Sequence, residues 1–444
     1  MMRSFGKTDY IRITIFGFAM TALWSSLHSI ILPLRIMEFV LESQKATCLG
    51  ILTFTGLLLA IVVQPIAGMY SDRSGSKWGL RRPFVFIGGI LTLSFLPGIG
   101  LAGSLAVLFA IYYLLQASTN TALGPYQALI PDLVPQGKRG RASGVKNLLD
   151  ILGGVTFVWL TGQLMNNYLA GDGTRWLWLN LAILGAAFLG TMVYTLIKVK
   201  EPPSSGKAGL SFRAIISQWF RIDTRANPDY RRFLISRLFF IIPLTTFQVF
   251  GLYFFRDVAG VSNPAATMGN FILVSGACML GATYPAGRLS DRFGHRLVSV
   301  ISGIISACGI GLLFFFHSYH LILLCSIMMG IGFGGLMSSN WAIAVSIVPE
   351  GEAGKYIGLT NLATAGGSAL ARLNGPMIDL FNARSPGSGY SAMLLTSFVS
   401  LIASAVLLWG IKKGDGGNPP PVTSKSNRSI GYGSSCQTGQ IKLP

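Results

Sequence analysis

Charge is what this 444-residue chain has least of: 16 acids and 35 bases make 11% of its residues, against about 25% in a soluble domain. That deficit excludes a fully water-solvated surface. Histidine is scarce too, with four residues, and the five cysteines (Cys48, Cys278, Cys308, Cys325, Cys436) are odd in number and lack ligand spacing. Neither a disulfide framework nor a metal cluster is expected, and His317 with His320 forms a lone loop pair. No P-loop and no nucleophile–base set is present, so no cofactor, nucleotide or enzymatic activity is expected. What the chain does have is apolar bulk, 51% of residues, and 54 glycines. Both suit helices packed closely in lipid.

A membrane helix needs about 20 mostly apolar residues. Twelve segments qualify, at roughly 12–34, 48–69, 83–102, 105–130, 143–165, 176–197, 233–255, 266–286, 297–316, 320–347, 358–380 and 389–411. The first is too long for the apolar core of a cleavable signal peptide and lacks a small-residue cleavage pattern. The chain reads as an all-α membrane protein: a six-helix bundle over 1–197, a linker over 198–232, a second bundle over 233–411 and a tail over 412–444. The linker contains "FRAIISQWF", which is expected to lie as a helix on the membrane surface. The tail, rich in Gly, Pro and Ser, is expected to be disordered.

With both termini cytoplasmic, 28 of the 35 Lys and Arg fall on the cytoplasmic side and five on the other; Arg237 and Arg372 lie inside helices. The net charge of +19 is therefore a topology signal and not a nucleic-acid footprint. The basic loops imply contact with lipid headgroups.

The two halves repeat. "GMYSDRSG" at Gly68–Gly75 returns as "GRLSDRFG" at Gly287–Gly294, and "VPQGKRGRASGVKN" from Val134 returns as "VPEGEAGKYIGLTN" from Val348. Both motifs fall in equivalent loops, which is how transporter folds are built from repeats. The Gly-x-x-x-Asp-Arg-x-Gly loop resembles the signature of the major facilitator superfamily. The longer run "YSDRSGSKWGLRRPF" and helix 4, "TNTALGPYQALIPDL", resemble the sucrose-transporter and glycoside–pentoside–hexuronide branch. That resemblance implies two bundles related by a pseudo-twofold axis, working by alternating access.

It also implies a gate. Asp72 would face the start of helix 11 and Asp291 the start of helix 5, where unpaired N–H groups favour a carboxylate, when the cytoplasmic side is shut. Arg73 would hold Asp132, and Arg292 would brace its own half. Gly68, Gly75, Gly287 and Gly294 complete the motif. Lys77, Arg81 and Arg82 read as charges facing headgroups.

Ionisable groups within the membrane are costly and each needs a reason. Asp150, one turn after Lys146 on helix 5, reads either as a proton-linked carboxylate or as half of a fixed i,i+4 pair. The repeat puts Thr360 and Thr364 opposite them. Arg372 reads as a cavity residue, partnering a substrate oxygen or Asp150, or else as a structural pair with a neighbouring carbonyl; the resemblance to the sugar-carrying branch tips His28 toward a substrate contact. Gln116, Asn120, Gln248, Asn340 and Trp341 add amides and an aromatic face on helices 4, 7 and 10, the helices that line the cavity in this superfamily. Each alone is more often an interhelical hydrogen bond or a lipid-facing aromatic; together they favour a polar, neutral cargo. The sucrose branch has an aspartate and an arginine where this chain has Gln116 and Gln127. Glutamine cannot cycle a proton, so Asp150 is the expected coupling group if transport is proton-coupled, and uniport stays open.

The expectation is thus a monomeric transporter of the plasma or inner membrane that imports a sugar or glycoside with protons. Export of amphipathic compounds through a Met- and Phe-rich pocket, or a non-transporting scaffold or sensor, are the alternatives.

Overall fold

The computed structural model describes residues 6–171, 173–201, 227–347 and 353–411, and among them there is no strand. Eleven helices are long and apolar enough to cross a membrane: α1 (Lys7–Met37), α2 (Lys45–Asp72), α3 (Arg82–Leu101), α4 (Leu105–Leu133), α5 (Gln136–Leu169), α6 (Arg175–Lys198), α7 (Pro228–Asp257), α8 (Pro264–Phe293), α9 (His295–Leu312), α10 (Tyr319–Ala344) and α12 (Ser388–Trp409). The twelfth span is broken. Its first part, α11 (Ala353–Arg372), stops at Leu373 and resumes over Asn374–Asn382. The cause lies in Asn374-Gly375-Pro376: Pro376 lacks an N–H, and a Cβ on Gly375 would sit 2.3 Å from the Ala46 carbonyl oxygen of α2.

Local chemistry explains other boundaries. α7 starts five residues before the expected bundle boundary, because the Asn227 side chain accepts from the Tyr230 N–H at 3.1 Å and Pro228 opens the helix. α1 carries a π-helical turn at Leu27–Ile31, which shifts the register around His28; such turns recur at functional sites.

The packing repeats as the sequence does. α1 packs on α5 and α6, α2 on α4, and α3 on α4 and α6; adding six to each number gives the pairs of the second half, α7 with α11 and α12, α8 with α10, and α9 with α10 and α12. The halves meet through α5 with α8 and through α2 with the broken α11, which exchange under the same operation. This is the pseudo-twofold arrangement of two six-helix bundles. Glycine permits the close approach: a Cβ on Gly162 of α5 would lie 2.6 Å from the Ala265 carbonyl oxygen and 3.0 Å from the Gly269 Cα of α8.

One face of the molecule holds the basic turns containing Arg73, Lys138 and Arg292; on the opposite face the halves are tied together. There Lys45 pairs with Asp257 at 2.6 Å and with Glu42, and Arg256 reaches Glu42 at 2.9 Å. Asp379 accepts the Thr47 N–H at 2.6 Å, the Tyr253 hydroxyl donates to the Pro33 carbonyl at 2.9 Å, and Gln163 donates to Asn270 at 3.2 Å. The surface helix expected in the linker, the disordered tail and the side chains at the start of α11 lie outside the described residues.

Candidate functional site

The midsection between the halves contains a chain of buried polar side chains. His28 Nε2 lies 3.0 Å from the Tyr112 hydroxyl, which accepts from Gln116 Nε2 at 2.9 Å. Asn120 Nδ2 donates to Gln116 Oε1 at 3.0 Å and to the Gln116 carbonyl at 2.8 Å. Residues 112, 116 and 120 share one face of α4. The Trp24 ring lies 5.2 Å from the His28 ring and 5.8 Å, edge-on, from that of Tyr112. In the second half, the Arg372 guanidinium donates to the Ser368 carbonyl at 2.6 Å. His28, Gln116 and Asn120 are therefore brought to one place, whereas Arg372 ends α11 instead of sitting mid-helix and is held by a neighbouring carbonyl.

A second pair of sites follows from the repeat. Asp9-Tyr10 opens α1 as Asp229-Tyr230 opens α7, so Gly17 matches Arg237; the loop repeat already matches Tyr126 to Asn340, Lys146 to Thr360 and Asp150 to Thr364. In the first half Lys146 donates to Asp150 Oδ2 at 2.5 Å, and Asp150 Oδ1 is buried without a hydrogen-bond partner, against Gly17. The Tyr126 hydroxyl closes that spot, accepting from the Gly17 N–H at 2.8 Å and donating to the Thr14 carbonyl at 2.7 Å. In the second half Arg237 fills the place of Gly17, donating to Thr364 Oγ1 at 2.9 Å and Asn340 Oδ1 at 2.6 Å. The two bundles thus place their buried charge at different positions of the same site: Asp150, which matches Thr364, in the first, and Arg237, which matches Gly17, in the second.

Between the bundles lies a cavity of about 260 Å³, near the lower end of small-molecule sites. Its first-half wall includes Thr21, Ser25 and Asp150; its second-half wall includes Gln248 with Phe247, Phe271, Phe333, Met279 and Met329. Gln248 Nε2 reaches Ser25 Oγ at 3.5 Å across the divide. Asn340 is fully buried on Arg237, whereas its neighbour Trp341 is 49% exposed and joins neither cluster.

On the basic face Arg81 binds Asp72 at 2.5 Å and Asp132 at 2.8 Å, and it is 7% exposed. Arg82 donates to the Leu196 carbonyl. These two cations are thus internal ties, not the headgroup-facing charges expected from the sequence, and it is Arg81 that grips Asp132, where Arg73 was expected. Glu201 accepts the Arg81 N–H at 2.8 Å and the Arg82 N–H at 3.1 Å, placing a carboxylate at the start of α3. Burial raises the pKa of Glu201 and these N–H groups act against the rise. Asp291 is exposed, and the Arg292 guanidinium lies 5.3 Å from the Phe293 ring centre. Gly294 has φ of 92°, a left-handed conformation that favours glycine. A Cβ on Gly287 would sit 3.2 Å from Ser338 Oγ, while Gly68 and Gly75 face open space.

Tyr112, Tyr126 and Arg237 were missed as site residues. The i,i+4 spacing of 112, 116 and 120 carried the first; the repeat applied to α1 and α7 carried the others.

A family model described as Major Facilitator Superfamily matches residues 13–372. Among curated relatives, sucrose transport protein SUT1 of Oryza sativa subsp. japonica is 31% identical over 191 residues, 35% of this chain and 34% of that protein. Sucrose transport protein SUC3 of Arabidopsis thaliana is 33% identical over 122 residues, 22% of this chain and 20% of that protein. The matched region thus spans about a third or less of each relative's length. Among solved structures, a bacterial homolog to the human lysosomal transporter Spinster, inward-facing and unoccupied, superposes with a TM-score of 0.66 at 17% identity, covering 90% of this chain and 94% of that one. A D-xylose-proton symporter gives 0.66 at 16%, covering 91% and 97%. At these identities the likeness is one of fold.

Proposed function

We propose that this chain, which belongs to the major facilitator superfamily, imports a sugar or glycoside by alternating access, coupled to protons. The observation that carries the cargo class is the array of Trp24, His28, Tyr112, Gln116 and Asn120, one aromatic face beside a chain of hydroxyl-reading groups. Amides both donate and accept, as a sugar hydroxyl does. The curated relatives' names point the same way. The basic face is cytoplasmic in this reading by its charge, and the ties between the halves described above lie on the opposite, outer face.

In this reading Asp150 is the proton carrier. One oxygen is held by Lys146 and the other is buried beside Gly17 with no hydrogen-bond partner, a place that suits a protonated carboxyl. Asp72 and Asp291 close the cytoplasmic side in the opposite state by capping helix starts across the bundles, with Asp132 held in reserve by Arg81. The protein works as a monomer in the plasma or inner membrane, with the linker and tail cytoplasmic.

Uptake of radiolabelled disaccharides into proteoliposomes, with and without an inward proton gradient, tests the proposal. Gradient-driven accumulation is the expected result; accumulation that ignores the gradient removes the coupling, and no uptake of any sugar removes the cargo class. Export of amphipathic compounds is the second reading, favoured by the Phe247, Phe271, Phe333, Met279 and Met329 wall. Lipophilic cations competing more strongly than sugars would select it.

A further inference from the structure

We propose that the groove between α8 and α9 is a lipid site: it holds an acyl chain of one anionic phospholipid, whose phosphate is bound by Arg292 and Arg288 at the basic face. The site lies apart from the cavity between the bundles, so it goes beyond the proposed function and does not depend on the cargo.

The groove follows from the packing. α8 and α9 each lie along α10 and touch one another little. The space left between them is about 700 Å³ and is lined by Gly281, Leu289 and Phe293 of α8, Leu297 and Ile301 of α9, and Ile331 of α10. Residues 281, 285, 289 and 293 recur every four positions and share one face of α8. That face is open: Leu289, Phe293, Leu297 and Ile301 are each between 39% and 54% exposed. A Cβ on Gly281 would meet no atom within 4 Å, so the deep end of the groove is empty space. Gly281 to Phe293 spans about 18 Å along the helix, close to the depth of one leaflet, about 15 Å or half of the hydrocarbon core. Phe293 ends α8 and Leu297 lies in the first turn of α9, so the mouth of the groove sits at the basic turn, where a headgroup would lie.

The groove itself does not choose a lipid, because one apolar tail packs against its walls as well as another. Selection falls to the mouth. The Arg292 guanidinium lies 5.3 Å from the ring centre of Phe293, a groove residue, and that of Arg288 lies 4.6 Å from the Tyr284 ring. Arg288 and Arg292 are four apart, and each follows a groove residue, Pro285 or Leu289, by three positions. Both therefore flank the groove on one side. Both are exposed, and among the described residues neither has a carboxylate within ion-pair distance, Asp291 on the same turn included. The third cation of the turn, Arg296, is directed elsewhere: it lies 4.6 Å from the Trp409 ring centre and donates to the Ile411 carbonyl at 3.2 Å.

Two guanidinium groups without an acid thus stand beside an apolar groove of leaflet depth. A guanidinium takes a phosphate through paired N–H···O bonds. A headgroup with net negative charge satisfies both, whereas a choline headgroup brings its own cation against them. The first copy of the loop motif has Met69 in place of Arg288 and Ser74 in place of Phe293, so one such site is expected per chain.

Native mass spectrometry of the full chain in detergent tests the proposal, with phosphatidylglycerol, phosphatidylcholine of the same chains and inorganic phosphate as probes. One phosphatidylglycerol should bind at least fivefold more tightly than phosphatidylcholine, the worth of about one cation at an anionic headgroup. Arg288→Gln with Arg292→Gln should bring the two lipids within about twofold, whereas Lys77→Gln, exposed on the matching loop of the first half, should leave the ratio unchanged. Gly281→Leu should fill the groove and weaken both lipids at least fivefold while keeping their ratio. Melting of each lipid-free variant checks folding. Equal binding of the two lipids by the parent, a preference that survives the double substitution, or one that Lys77→Gln removes as well overturns the site at the mouth. Unchanged binding in Gly281→Leu overturns the groove, and displacement of the lipid by equimolar inorganic phosphate replaces it with a plain anion site. A dimer that retains no lipid and that Gly281→Leu splits gives the groove to a second copy of the chain and overturns the lipid.

Discussion

Lys146 and Asp150, one turn apart on α5, form an ion pair at 2.5 Å in which only one carboxylate oxygen is used; the other is buried against Gly17 with no hydrogen-bond partner. The second half has Thr360 and Thr364 at the matching positions and places its own charge, Arg237, on α7 instead. A repeat that kept one acid in one bundle and one base in the other has specialised its halves.

Replacing Asp150 by Asn keeps the shape and removes the titration. Concentrative uptake should collapse until inside and outside concentrations are equal, while exchange of internal for external cargo continues. Proteoliposome counterflow measures the second directly. Equal loss of both would make the pair structural.

Gly17 is the floor under that carboxylate. A Cβ there would lie 2.2 Å from Asp150 Oδ1 and 2.9 Å from the Tyr126 hydroxyl. Gly17→Ala should destabilise by about 1–3 kcal/mol, the usual cost of overpacking, seen as a lower melting temperature in detergent. In the Asp150→Ala background the cost should shrink, since the crowded atom is gone; an additive double mutant would place the strain elsewhere.

The outer tie has a definite pH signature. Burial would raise the pKa of Glu42, but hydrogen bonds from Lys45 and Arg256, with their charges, override it and hold it below the ordinary carboxylate range. A depressed acid contributes to the tied state above its unbound pKa and loses that contribution as pH falls through the lowered value. External acidification from pH 7 to about 5 should therefore leave the outer tie intact, since unbound carboxylates titrate near 4; loosening should begin only below that. Glu42→Gln should remove this acid step, and Lys45→Met should open the outer face at neutral pH. Disulfide trapping between cysteines placed at Gln163 and Asn270, whose side-chain Nε2 and Oδ1 meet at 3.2 Å in the tied state, reads both.

Arg81 offers a contrast between a tie and a headgroup charge. It joins Asp72 to Asp132 while nearly buried itself. Removing one member of a buried pair costs about 3–5 kcal/mol; with Asp72 46% and Asp132 38% exposed, water will recover part of it. Arg81→Gln should cost about 1–3 kcal/mol, and Lys77→Gln, on the same loop, should lie within about 0.5 kcal/mol of the parent. Equal small effects would return Arg81 to the headgroup reading.

The sequence carried the membrane class, twelve spans, the internal repeat and most of the polar cluster, because those depend on hydropathy length and i,i+4 spacing. Gln116 and Asn120 were legible from spacing alone. Tyr112 was not, since a tyrosine in an apolar run reads equally as packing and only its hydroxyl contacts with His28 and Gln116 distinguish it. Arg81 was misread because a loop arginine's burial depends on which acids fold beside it, here Asp132 from 51 residues away. The break in α11 was written in Asn374-Gly375-Pro376 but masked by the apolar run on either side.

The inner latch is the remaining device to test. With Asp72 bound to Arg81 in its own half, the described geometry leaves the partner bundle's helix starts without this carboxylate. Closing the basic face would bring Asp72 toward the start of α11, and Asp291 toward Gly140 and Gly144 of α5, which face open space here. Spin labels at Ser76 and Lys355 should show two distance populations, the shorter growing when an outward-open state is trapped. Asp72→Asn should deplete the shorter population, and Asp72→Asn with Asp291→Asn should deplete it further, because each carboxylate-to-helix contact is worth about 0.3–1 kcal/mol and the two act on the same equilibrium. Distances that ignore both substitutions would show that the acids serve only their own bundles, through Arg81.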